Sequence, residues 1–206
     1  MNTAEPTDFI FDEPAEAAVA KAIARYPAGK QASAVMALLD IAQRQMGRRT
    51  GIAWVPRIAM DVVAKRLGMA PVRVYEVATF YTMFNTKPVG KYHLQVCTTT
   101  PCWLRGSDDV VAACKKASGI KDFGHTSEDG MFTMTEVECL GGCVNAPILQ
   151  INDDYYEDLD GAKTEALLEK LKAGEPLPPA GSVIGRRASA PVTNQTTLLQ
   201  DGPAAE

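Results

Sequence analysis

Hydrophobic positions in the first part of the chain repeat at the three- and four-residue spacing of amphipathic helices. The repeats run through Ala32–Met46 and onward from Pro71. Two more helices are predicted from composition and end signals: an alanine-rich one at Ala15–Tyr26, followed by Pro27, and one from Pro56 to Leu67, followed by Gly68. Four helices with short connections predict a small helical bundle over residues 15–87, after an N-terminal extension at 1–14.

The pattern changes to alternation after Pro88. Alternating or continuous apolar segments predict strands, and helical spacing returns twice. The predicted strands are Tyr92–Val96, Met131–Glu138, Ile148–Ile151 and Tyr155–Tyr156, and the predicted helices are Leu104–Ser118 and Leu159–Lys172. These elements predict a small α/β domain over residues 88–173, so the whole chain is assigned to the α+β class.

The remaining residues, 174–206, are rich in proline, glycine and small polar side chains. Such a segment has little apolar surface with which to offset the entropy of ordering. We therefore expect an extended C-terminal tail that is ordered only by a partner.

The composition of the chain mainly argues against certain classes of protein. The chain has 206 residues, 46% of them hydrophobic, and a formal net charge of −4, which disfavours non-specific binding to nucleic acid. It contains no run of eighteen apolar residues, and its first fourteen residues lack the features of a secretory or mitochondrial leader. We expect a cytoplasmic protein without a membrane span.

The candidate chemistry lies in the cysteines. Four of the five form two close pairs, Cys97 with Cys102 and Cys139 with Cys143, and each pair begins where a predicted strand ends. Clustered cysteines in a reducing compartment indicate metal or redox chemistry rather than disulfides. If the two strands lie in one sheet, their ends bring four thiolates together.

Four thiolates suit two kinds of centre. One is a [2Fe–2S] cluster with two sulfurs on each iron, and the other is a structural zinc ion. Gly141 and Gly142 can point backbone N–H groups at sulfur, and Thr98–Thr100 can donate hydroxyls. The apolar context favours iron and sulfur, because a domain with its own core does not need a zinc ion to fold.

Other candidate ligands are less suited. Cys114 falls on the apolar side of a predicted helix and is expected to be a buried core residue. His93 lies in a strand, His125 in a loop, and neither is spaced as a partner of the cysteines. Trp103 follows Cys102 directly and could either shield the centre from water or simply pack. A helix-turn-helix at Ile58–Tyr81 is the alternative for the bundle, but its second helix lacks base-reading side chains.

The cysteine segments Cys97-Thr-Thr-Thr-Pro-Cys102-Trp-Leu-Arg-Gly106 and Cys139-Leu-Gly-Gly-Cys143-Val-Asn-Ala-Pro147 resemble those of a known family. It is the 24 kDa [2Fe–2S] subunit of the proton-pumping NADH:quinone oxidoreductase, respiratory complex I. The resemblance extends to Trp54-Val55-Pro56, to Val77–Tyr81 and to the motif at 185–191.

The resemblance implies a thioredoxin-like ferredoxin domain behind the helical bundle, with Cys97, Cys102, Cys139 and Cys143 holding one [2Fe–2S] cluster. It also implies two partners, a flavoprotein subunit that binds FMN and NADH and a subunit with several iron–sulfur clusters. The complex would place the chain at the cytoplasmic side of a bacterial inner membrane. The related alternatives are the corresponding diaphorase subunits of NAD-linked formate dehydrogenases and hydrogenases.

Two expectations follow for the isolated chain. No glycine-rich phosphate loop follows a predicted strand, so NADH oxidation should require the partner. The bundle is expected to hold the flavoprotein, since aromatic residues collect near its end and are enriched where interfaces concentrate binding energy. These residues are Trp54, Phe80, Tyr81 and Phe84.

Overall fold

The computed structural model describes residues 5–186. These residues divide into two compact units, one formed by 5–91 with 128–130 and the other by 92–127 with 131–186. The predicted boundary at 87/88 thus lies close to the division at Lys91/Tyr92, and a short loop of later sequence groups with the first unit.

The first unit contains four α-helices at the positions that the hydrophobic spacing predicts. They are α1 (Glu13–Ile23), α2 (Val35–Thr50), α3 (Arg57–Leu67) and α4 (Pro71–Phe80). The Asp12 carboxylate caps α1 by accepting from the Ala15 N–H at 3.0 Å. Gly51 and Gly68 end α2 and α3 in the left-handed conformation, which glycine adopts without a steric penalty.

The segment before α1 is part of the bundle, contrary to its assignment as an extension. Phe9 and Phe11 are buried in the bundle core, where their rings meet edge to face. Gln45, fully buried on α2, accepts from the Asp12 N–H at 2.9 Å and donates to the Ile10 carbonyl at 2.7 Å. These long-range bonds, the two buried rings and an ion pair of Arg48 with Asp12 at 3.3 Å hold the segment in place.

The aromatic residues near the end of the bundle differ in their exposure to solvent. Trp54 and Phe84 are buried in the core of the first unit and are not available to a partner. Phe80 and Tyr81 are 77% and 39% exposed. Only the second pair can serve the binding role expected from the sequence.

The second unit is a six-stranded mixed sheet with helices. In chain order its described elements are β1 (Tyr92–Cys97), α5 (Thr100–Leu104), α6 (Ser107–Ser118), β2 (His125–Thr126), β3 (Phe132–Val137), β4 (Leu149–Ile151), β5 (Asp154–Glu157), α7 (Gly161–Lys172) and β6 (Gly181–Ser182). The strand order is β2-β3-β1-β4-β5-β6. The pairs β1–β3 and β5–β6 are parallel, whereas β1–β4, β4–β5 and β2–β3 are antiparallel. This architecture confirms the α+β class.

The single helix predicted over Leu104–Ser118 is two helices. Gly106 has φ 95° and separates α5 from α6. The apolar spacing continues across this break, because Leu104 and Val111 are seven residues apart and would share one helix face, and so hydrophobicity alone does not reveal it. The break gives Cys102 a short helix of its own.

The prediction that the C-terminal tail from residue 174 onward is ordered only by a partner is wrong for residues 175–186, which pack on the second unit. Leu177 packs against the core of the second unit, and the Tyr156 hydroxyl donates to the Pro178 carbonyl at 2.9 Å. Strand β6 then pairs with β5, with Tyr156 opposite Gly181. Residues 187–206, including most of the motif at 185–191, lie outside the described residues.

Within residues 5–186, no helix is both long and apolar enough to cross a bilayer.

Candidate metal centre

Each cysteine pair begins where a strand ends, as the sequence predicts, and the structure makes these two strands parallel neighbours in one sheet. Cys97 ends β1 and lies opposite Val137, the last residue of β3, and Cys139 comes two residues later. Because β1 and β3 run in the same direction, both chain segments leave the sheet at the same edge. The topology therefore brings the start of each pair to one end of the second unit.

The first pair is buried. Cys97 and Cys102 are each 1% exposed, and they pack with Ala146 and Ile148. Pro101 lies in the first turn of α5, where its missing N–H costs no helical hydrogen bond. The helix turns the chain back within five residues, so that the Cys102 thiol hydrogen-bonds to the Cys97 thiol.

The Cys97 sulfur is surrounded by hydrogen-bond donors. Burial by itself would raise its pKa, but hydrogen bonds from the Thr99 hydroxyl, from the backbone N–H groups of Leu140 and Thr99, and from the Cys102 thiol together lower that pKa. The Thr99 Oγ1 lies 3.3 Å from the Cys97 Sγ. These contacts stabilise a thiolate at Cys97, which is the form that binds metal.

Cys102 shows the opposite shift. Burial, reinforced by the hydrogen bond and the charge that it shares with Cys97, raises its pKa to about 12, although a backbone hydrogen bond from Ile148 opposes this effect. The buried pair therefore carries one negative charge and one proton more readily than two negative charges. A cation placed between the sulfurs would replace that proton.

The second pair lies at the surface. Cys139 is exposed and Cys143 is half-buried, with their sulfurs 3.4 Å apart. The hydrogen bond with Cys139, followed by desolvation, raises the pKa of Cys143. Cys143 begins a short 3-10 turn, Cys143–Asn145, which leads back into the core through Ile148.

The two glycines between Cys139 and Cys143 differ in what they allow. Gly141 has φ +86°, a conformation that costs an L-residue roughly 1–2 kcal/mol. At Gly142 an added Cβ would lie 2.5 Å from the Cδ1 of Ile148, so a side chain there would require the Ile148 side chain to shift. The loop can approach Cys97 closely enough for the Leu140 N–H to bond its sulfur.

These observations fit a [2Fe–2S] cluster. The sulfurs are arranged as two pairs, which matches two ligands on each of two irons. Backbone N–H groups already point at two of the sulfurs, from Leu140 and Thr99 to Cys97 and from Ile148 to Cys102.

Several residues that were expected to bond or shield the cysteines have a different role. The Thr98 hydroxyl donates to the Glu136 carboxylate at 2.6 Å rather than to sulfur, so Thr99 is the threonine that bonds Cys97. Trp103 is 57% exposed and does not shield the cysteines by burial. The Leu140 and Ile148 donors were not identified from the sequence, because a backbone N–H leaves no trace in residue identity.

The remaining cysteine is a core residue, as predicted. Cys114 is fully buried on α6 within the main core of the second unit, and burial raises its pKa to about 12. An apolar environment of this kind makes a thiol inert.

The two histidines have surroundings unlike those of a metal ligand. His125 is exposed in β2, whereas His93 is buried in β1 with its Nε2 2.9 Å from the Thr135 Oγ1. Burial lowers the pKa of His93 to about 4. His93 is therefore a neutral core residue at pH 7.

The His93 pKa predicts a loss of stability in acid. The unfolded chain binds a proton at pH near 6.5, whereas the folded chain resists protonation until about pH 4. Stability is thus fully present above pH 6.5 and falls by about 3 kcal/mol as the pH drops through that window. Urea unfolding of the wild type and of His93→Gln at pH 7.5, 5.5 and 4.5 measures this. The glutamine variant should show a shallower pH dependence, and identical slopes would contradict the assignment.

The comparisons with known proteins agree with this geometry. The family model described as thioredoxin-like [2Fe-2S] ferredoxin matches residues 19–172. A protein of Rickettsia bellii, named as a subunit of NADH-quinone oxidoreductase, is 54% identical over 84% of this chain and 99% of its own length. A protein of Dictyostelium discoideum named NADH dehydrogenase [ubiquinone] flavoprotein 2, mitochondrial, is 47% identical over 95% of this chain and 76% of its own.

A solved structure of an NAD+-reducing [NiFe]-hydrogenase matches 67% of this chain with a TM-score of 0.56 at 22% identity, and this chain spans 23% of that one. At this identity the match concerns the fold alone. The family model and the relatives confirm the resemblance drawn from the cysteine segments. This chain belongs to the thioredoxin-like [2Fe–2S] ferredoxin family.

Proposed function

We propose that Cys97, Cys102, Cys139 and Cys143 hold one [2Fe–2S] cluster, and that the chain is an electron-transfer subunit of an NADH:quinone oxidoreductase. The observation that carries the proposal is the pairing of four thiols at one edge of the sheet, with backbone donors at the sulfurs. When bound, such a cluster accepts and returns one electron at a time.

The protein groups have separate tasks in this role. The Leu140, Thr99 and Ile148 N–H groups and the Thr99 hydroxyl stabilise negative charge on the buried sulfurs. Burial of Cys97 and Cys102 keeps water from that side. The exposed Cys139 leaves the other side accessible, so we propose that electrons are exchanged there.

The proposed partner is a flavoprotein subunit that binds FMN and NADH. Relatives named as subunits of NADH-quinone oxidoreductase at 54% identity support this complex over the hydrogenase alternative, for which only the fold agrees. We further propose a second partner, a subunit with several iron–sulfur clusters, and a place for the complex at the cytoplasmic side of the inner membrane.

The first unit offers a docking surface for the flavoprotein. An open apolar groove is lined by Glu76, Val77, Thr79, Phe80 and Tyr81 at the end of α4. Phe80 and Tyr81, which both line the groove, are 77% and 39% exposed, and a cluster of exposed aromatic rings is a feature of interaction sites. We propose that the flavoprotein covers this groove.

The test of the cluster is spectroscopic. The full chain, purified without oxygen, should be brown, contain about two irons and two acid-labile sulfides, and give a paramagnetic signal after one-electron reduction. A colourless protein with one zinc per chain would instead identify the structural alternative. The measurement uses the isolated chain, so its outcome does not depend on the partner.

A further inference from the structure

Arg186 and Asp158 form an ion pair that differs from the surface pairs of the described chain. Arg186 Nη1 lies 2.9 Å from Asp158 Oδ1, and the two side chains are only 11% and 7% exposed. The pair of Lys116 and Glu165 in the same unit has exposures of 72% and 41%. Removing one member of a buried pair is costly, because the other charge stays behind without compensation.

The ion pair is joined to the turn that carries Cys143. The Arg186 Nη1 also lies 3.3 Å from the Val144 carbonyl, which it can bond. The Asp158 N–H donates to the Asn145 carbonyl at 2.7 Å, and the Asn145 side chain donates to Glu157 at 2.6 Å. Hydrogen bonds thus connect the turn Cys143–Asn145 to the end of β5 and to the C-terminal segment.

The C-terminal segment is fixed to Asp158 by a second set of bonds. The Ser182 hydroxyl donates to Asp158 Oδ2 at 2.7 Å, and the Arg186 N–H donates to the Ser182 Oγ at 3.2 Å. Asp158 itself has φ 57°, a left-handed conformation that aspartate tolerates better than most residues. Such a conformation persists where several contacts define it together.

The two cysteine pairs therefore differ in what supports them. The first pair is packed in the core, whereas Cys139 is exposed and Cys143 is half-buried in a loop. A ligand on a surface loop needs outer contacts to keep its sulfur in position.

We propose that residues 181–186 form a latch. In it, the ion pair of Arg186 with Asp158 positions the turn that carries Cys143, and this keeps the second cysteine pair in place to hold the cluster. This inference rests on the proposed ligand set. Arg186 acts through the Val144 carbonyl, so it is a positioning residue and not a ligand.

The decisive variant is Arg186→Gln in the full chain. It removes the charge and cannot bond Asp158 and Val144 together, so the cluster should be lost to an iron chelator roughly 10–100 times faster than in the wild type. The paramagnetic spectrum of the reduced protein should change as well. Arg186→Lys keeps the charge but lacks the planar guanidinium, which can bond two groups at once. Its rate of cluster loss should be intermediate.

Two further variants test whether the effect is specific to the contacts of this segment. Lys116→Gln breaks an exposed ion pair of the same unit and should leave both readouts unchanged. Ser182→Ala removes only the hydroxyl that links the segment to Asp158, and should accelerate cluster loss by a smaller factor even if Arg186→Gln does not fold.

The outcomes separate this inference from the proposed function. A wild-type chain without a two-iron cluster would refute the proposed function. If the wild type holds the cluster and Arg186→Gln and Ser182→Ala keep both its rate of loss and its spectrum, only the latch is refuted. A faster loss that merely follows a lower urea midpoint, with an unchanged spectrum, would also overturn it, because the ion pair would then stabilise the fold alone.

Discussion

Cys97→Ser is expected to reduce the iron content of the purified chain from about two atoms to a small fraction of that value. Cys97 is 1% exposed, and its sulfur receives hydrogen bonds from Thr99, Leu140 and Cys102. A serine there has a shorter side chain and an oxygen that matches iron poorly, and burial limits the access of water that could take its place. Iron and acid-labile sulfide analysis measures the result.

The surface pair should respond differently. At Cys139 and Cys143, which are exposed and half-buried, a serine oxygen has more freedom to approach the metal. We expect Cys139→Ser and Cys143→Ser to keep part of the iron but to shift the visible absorption bands. This contrast follows from burial rather than from the motif, in which the cysteines look equivalent.

Cys114 supplies the matched control. It is fully buried in the same unit but lies in the apolar core on α6. Cys114→Ala removes a thiol without leaving a polar group unpaired, so iron content and spectrum should equal those of the wild type. Loss of iron in this variant, with normal iron in Cys97→Ser, would overturn the ligand assignment.

Phe80→Ala is expected to weaken binding of the flavoprotein roughly 10–100-fold, in the range of aromatic residues that dominate an interface. The ring is 77% exposed in the free chain, so its removal should not change the urea midpoint. Titration of the purified flavoprotein with the chain measures the affinity, and the unchanged visible spectrum of the variant shows that its cluster is intact.

Ile10 is the control for this surface. It is 73% exposed and belongs to the same unit, but it does not line the groove at the end of α4. Ile10→Ala should therefore bind as the wild type does. If Phe80→Ala and the double variant with Tyr81→Ala also bind normally, the flavoprotein does not use this groove.

Much of the chain's local structure is encoded by short-range pattern. The helical spacing of α2 and α3 and the alternation of β1 and β3 were visible because side chains a few residues apart share one face. The cysteine pairs could be placed for the same reason, since each follows a strand that the pattern predicts. The two cysteine segments were enough to indicate the family and, through it, the cofactor, whereas the cysteine spacing alone was compatible with zinc as well.

The tertiary structure decided what depends on distant partners. Phe9 and Phe11 are buried in the bundle core, and Gln45 on α2 bonds the backbone beside them; a segment of mixed polarity gives no sign of either contact. Residues 175–186 belong to the second unit because β6 pairs with the edge of β5 and because Arg186 forms an ion pair with Asp158, twenty-eight residues away. Backbone hydrogen bonds and buried ion pairs depend on positions in space rather than on spacing along the chain. The sequence by itself therefore determined which thiols are candidates to hold the metal, while the fold decided which backbone and side-chain groups contact them.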